Sequence, residues 1–74
     1  MNNRHNKKLG MELLQKTQIL SQNNAITTNE RIAIASSISE GMATGTFNGL
    51  KNVLFEILQT TTLPEVVEEM ILAI

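Results

Sequence analysis

An all-α bundle of three or four short helices, with a kink or break around Gly41 to Gly45, is the fold this chain predicts. Three observations predict it. Thr27-Thr28-Asn29-Glu30 sets a threonine three residues ahead of a glutamate. This is a capping box, in which each side chain closes an orphan backbone N–H at a helix start. Leu50, Val53, Leu54, Ile57 and Leu58 fall at i, i+3, i+4, i+7 and i+8, the period of one apolar helix face. Thr62-Leu63-Pro64-Glu65 repeats the box with a proline in the first turn, where its missing N–H is not needed.

Taken in order, residues 1–6 read as a frayed polar tail and 7–74 as a single helical domain. Leu9, Leu13, Leu14 and Leu20 give a first helix over 7–22 its apolar face, with Gly10 weakening only the first turn. Asn23-Asn24 ends it, because asparagine tolerates the left-handed conformation. The second helix starts at the Thr27 box, with Ile26 placed as a hydrophobic staple. Ile32-Ala33-Ile34-Ala35 alternates as a strand would, but Ile34, Ile38 and Met42 at four-residue spacing favour helix. Each glycine inside a helix costs about 1 kcal/mol relative to alanine. Gly41, Gly45 and Gly49 therefore place a break between Gly41 and Thr46, with Gly41 or Gly45 as the cap. A third helix runs from Phe47 to Gln59 and stops at three β-branched threonines. The last helix carries Leu63, Val67, Met70, Ile71 and Ile74 on one face, with Glu65, Glu68 and Glu69 near its N-terminus, where the helix dipole favours negative charge.

Composition excludes several function classes. The chain has 74 residues, no cysteine and one histidine, so disulfides and thiolate metal sites are ruled out and a zinc site is not expected. A domain this small buries a modest share of its surface and needs help, which leaves oligomerisation or a partner. The net charge of −1 argues against a general nucleic-acid binder. The charge is unevenly spread: Arg4, Lys7, Lys8 and Lys16 lie near one end, Glu56, Glu65, Glu68 and Glu69 near the other. Such polarity orients one end toward the other, within or between chains, or is ordinary solvated surface. The segment after Arg4 is cut by Glu12, Gln15, Lys16 and Gln18, and so does not read as a targeting sequence. No apolar run approaches the roughly 18 residues that span a bilayer. A cytoplasmic protein is the expectation, and the abundance of Asn, Ile and Thr fits an AT-rich bacterial or phage genome.

No catalytic, cofactor or metal constellation emerges. His5 has no acid or nucleophile spaced to pair with it and reads as a solvated tail side chain; Ser36, Ser37 and Ser39 lack a base. Glu65 and Glu69 share a helix face without a histidine to complete a metal set. The glycines are not followed by the Lys-Ser or Lys-Thr of a phosphate loop. Phe47 and Phe55 are the only aromatic residues, too few for the stacking platforms of single-strand binders.

The pattern that stands out is one of packing. Ala33, Ser37, Gly41, Gly45 and Gly49 recur every fourth position, a small-residue stripe that lets a second backbone come close if the helix runs through. If the helix breaks, the stripe is coincidence. The apolar last helix adds Val67, Met70, Ile71 and Ile74, while Phe55 and Leu72 fall off the best stripes of their helices. More apolar surface than one core can hide points to self-association. The sequence thus predicts a protein–protein interaction module, a homodimer acting as a regulator, adaptor or inhibitor of a protein partner. The stripe and last helix form the contact in this reading.

A second reading is a helix-turn-helix DNA binder. With Gly41 at the turn, Met42, Phe47 and Leu50 take apolar positions, and about 20 residues resemble that generic pattern. Ser36, Ser37 and Glu40 depart from it, and the recognition helix would carry a single base, Lys51. Phosphate contacts would fall to Arg4, Lys7 and Lys8.

Overall fold

The computed structural model describes residues 3–74. Four helices follow one another: α1 (Asn3–Gln22), α2 (Thr28–Thr44), α3 (Asn48–Leu58) and α4 (Pro64–Ala73). Each packs on the next and α4 returns to α1, so the helices form a closed ring with no strand among the described residues. Gly10 of α1 lies against Met42 near the end of α2, and α1's Leu9 shares a cavity with Ala73 and Ile74 at the end of α4. Neighbours around the ring therefore run antiparallel, as short connections require. The radius of gyration, 11.3 Å, matches the roughly 11 Å of a compact chain of this length.

α1 begins at Asn3, so residues 3–6 are helical where a frayed tail was expected. The rest of that expected tail, Met1 and Asn2, lies outside the described residues. The end of α1 is a Schellman motif. Asn24 takes φ 54°, Ala25 N–H donates to Leu20 O at 2.9 Å and Asn24 N–H to Ser21 O at 3.1 Å. Ala25 is buried against the core, as the residue at that position of the motif commonly is.

The Thr27 box forms as the sequence predicts: Glu30 N–H donates to Thr27 Oγ1 (3.1 Å) and Thr27 N–H to Glu30 Oε1 (2.7 Å). The strand alternative for Ile32 to Ala35 is not taken. The helix continues through Gly41 and ends at Thr44, where Gly45 turns left-handed (φ 77°) and donates to Gly41 O at 2.8 Å. The break thus falls within the expected interval, with Gly45 as its cap. Gly41 is an interior helical residue, so the turn of the helix-turn-helix alignment is not at Gly41.

The second box does not form. α4 starts at Pro64, so the flanking residue is Leu63, which has no capping side chain. Three residues beyond Leu63 stands Val66, which cannot bond back. Thr61 takes over locally. Its Oγ1 accepts from Leu63 N–H at 3.2 Å and donates to Ala25 O at 3.3 Å, tying the α3–α4 connection to the α1–α2 connection.

Leu13, Leu20, Ile34, Ile38, Leu50, Leu54, Val67 and Met70 are fully buried, so all four helices share one core. Each such side chain contributes about 1.5–3 kcal/mol. Thr17 is the one buried polar residue among those described, and its hydroxyl donates to Leu13 O one turn back at 2.8 Å.

Two glycines set helix spacing. At Gly10 a Cβ would strike the flexible thioether of Met42; with α1 extended to Asn3, this glycine sits well inside the helix and is buried. At Gly41 a Cβ would strike the ring of Phe47, a rigid group fixed by the turn beside it. Gly49, exposed at the start of α3, has nothing within 4 Å of a built Cβ. Alanine at either of the last two positions gains about 0.5–1 kcal/mol of helix propensity. At Gly41 this is outweighed by overpacking of about 1–3 kcal/mol. Thermal unfolding should therefore show Gly41→Ala less stable than wild type and Gly49→Ala equal or slightly more stable.

Candidate interaction surface

The five small residues do not share one face. Ala33 and Ser37 are half-buried on α2, Gly41 is covered by the chain's own Phe47, Gly45 is the left-handed cap, and Gly49 lies exposed on the next helix. The helix breaks, and the four-residue spacing across the break is coincidence. Gly45→Leu, the obvious probe of a stripe, would strain a left-handed position whether or not anything binds there.

The α4 residues divide. Val67 and Met70 are fully buried in the chain's own core and are not surface in the folded chain. Ile71 and Ile74 are half-buried and pack at its edge. Outside that core stand Phe55, 46 % exposed, and Leu72, 86 % exposed. They lie on one shallow groove between α3 and α4, about 290 Å³ in volume, whose other walls are Leu58, Ile71 and Glu68. Four of its five lining side chains are apolar.

The sequence flagged Phe55 and Leu72 as off-stripe but did not bring them together. Phe55 departs from the Leu50, Leu54 and Ile57 face, and Leu72 from the Val67 and Met70 face. Their meeting depends on how α3 and α4 are rotated against each other, which periodicity within each helix does not specify. Leu58, on the apolar face expected for α3, and Ile71, expected in the contact surface of the last helix, serve both sides, packing on the core and lining the groove.

The other cavities are more polar or lack a convergent set of groups. A groove of about 460 Å³ between α1 and α2 is walled largely by Thr17, Gln18, Ser21, Gln22 and Arg31. At the opposite end a cavity of about 310 Å³ gathers His5, Asn6, Thr46, Asn48 and Lys51. Among the described residues no three metal-ligating side chains cluster, and no buried side-chain polar atom lacks a hydrogen-bond partner. No described helix is long and apolar enough to cross a membrane.

The expected charge polarity has one intrachain outlet. Lys16 Nζ reaches Glu69 Oε2 at 2.9 Å, closing α1 onto α4 with both side chains solvated, so the pair contributes at most about 1 kcal/mol. Glu56, Glu65 and Glu68 are exposed and form no ion pair among the described residues.

No protein-family model matches the chain, and no curated protein or solved structure matches it.

Burial separates two kinds of apolar residue on one helix. Met70→Ala removes a fully covered side chain and should cost about 2–5 kcal/mol. Leu72→Ser, on the solvent side of α4, should change stability by no more than about 0.5 kcal/mol in chemical denaturation of the monomer.

Proposed function

We propose that this chain is a small protein–protein interaction module, a regulator, adaptor or inhibitor that works by contact through the apolar surface between α3 and α4. The observation that carries the reading is the placement of Phe55 and Leu72. The fold completes a core from all four helices and still leaves these two large side chains together on an open groove. Single exposed apolar residues are ordinary, whereas neighbouring ones sharing a concave, acid-rimmed surface are the kind of patch that partners use. The groove contains one ionisable group, Glu68, and no nucleophile.

The surface proposed here is not the one the sequence suggested. Ile71 is common to both. The small residues serve packing within the chain and at its turn, and the exposed residues of α3 and α4 take over the contact.

The test is affinity co-purification from the source cell with the wild-type chain and with Leu72→Ser as baits, helicity being checked by circular dichroism. The wild type should retain a defined protein, or further copies of itself, that Leu72→Ser loses. Identical retention by both baits would overturn the assignment of the surface. Retention on duplex DNA that falls steeply as salt rises would instead support the helix-turn-helix reading.

A further inference from the structure

We propose that the α3–α4 groove is covered by the same groove of a second copy of the chain, paired about a two-fold axis with the two α4 helices antiparallel. The proposal rests on the reading above and names the occupant of that surface.

Charge changes sign along the groove. Lys51 stands one turn before Phe55 on α3 and so on the same side of that helix. It shares the end cavity with Ala73 and Ile74, which places it where α4 finishes. Glu68 lines the groove, and Glu65 lies one turn closer to the start of α4, toward the opposite end. From one end to the other the surface therefore reads cation, apolar centre, carboxylates. A two-fold axis through the centre lays the Lys51 end of one copy over the Glu65 and Glu68 end of the other, twice over. A parallel pairing would set carboxylate against carboxylate, which disfavours it.

Shape agrees with charge. Leu72 projects from α4 with 86 % of its surface exposed, and the groove beside Phe55 and Leu58 leaves about 290 Å³ open. In the antiparallel pairing each Leu72 meets the other copy's groove, so both exposed residues are covered at once. The remaining exposed apolar residues offer no such surface. Ile32 stands among exposed Ser36, Ser39 and Glu40, and Met11 and Ile19 are two turns apart on α1. A second copy also supplies what a cysteine-free chain of 74 residues lacks, additional buried area.

Sedimentation equilibrium at low salt tests this with four full-length proteins: wild type, Leu72→Ser, Lys51→Glu, and the charge swap Lys51→Glu with Glu68→Lys. The wild type should dimerise. Leu72→Ser and Lys51→Glu should each weaken the dimer by about tenfold or more at unchanged helicity, and the swap should recover most of the loss caused by Lys51→Glu. A wild type that stays monomeric, a dimer indifferent to Leu72→Ser, or a swap no better than Lys51→Glu alone would overturn the two-fold pairing. If the chain is monomeric and Leu72→Ser still abolishes capture of another protein, the interaction module stands and only the second copy is lost. If Leu72→Ser changes neither dimerisation nor capture, both readings fall.

Discussion

The ring of Phe47 lying on the backbone of α2 at Gly41 is the contact on which the corner between α2 and α3 depends. An aromatic ring packs this close to a helix only where a side chain is missing, and Gly41 is buried beneath it. One turn later Gly45 supplies the positive φ that ends α2 and bonds back to the carbonyl of Gly41. Two glycines four residues apart thus act together, one admitting the ring and the other turning the chain. With the corner fixed, Leu50, Leu54 and Ile57 of α3 face inward and join Ile34 and Ile38 of α2 in the core.

That rotation of α3 has a consequence on its other side. Once Leu50, Leu54 and Ile57 are committed to the core, Phe55 lies beyond its edge. α4 repeats the division, with Val67 and Met70 inward and Leu72 outward among Glu65, Glu68 and Glu69. The exposed groove is therefore what the fold leaves over after the core is filled. Its polarity comes from residues that the core does not use, and the Lys16–Glu69 pair takes up only one of the carboxylates on α4.

The sequence was readable where a structure is fixed locally. The Thr27 box, the left-handed Asn24 and the break before Thr46 each depend on a few adjacent residues, and each forms. The second box failed because the helix starts at Pro64, so that Leu63 and Val66 occupy the two positions where capping side chains are needed. Gly10 and Gly41 were legible as small residues but not by purpose, since the side chains that cover them, Met42 and Phe47, belong to other elements or lie across a turn. A four-residue spacing predicts a shared face only while the helix is continuous. The stripe lost that meaning at Gly45, and the exposed groove arises instead from the packing of α3 on α4.

The most direct test of this account is a double-mutant cycle on the α2–α3 corner, measuring unfolding free energies of Gly41→Ala, Phe47→Ala and the pair. The clash of the new methyl group is with the Phe47 ring alone among the nearest atoms, so removing the ring should remove the penalty. Gly41→Ala should destabilise the wild type and become neutral or stabilising in the Phe47→Ala background, with a coupling of about 1 kcal/mol or more. Additive effects would mean that the ring does not rest on Gly41, and that the corner, the rotation of α3 and the exposure of Phe55 need another cause.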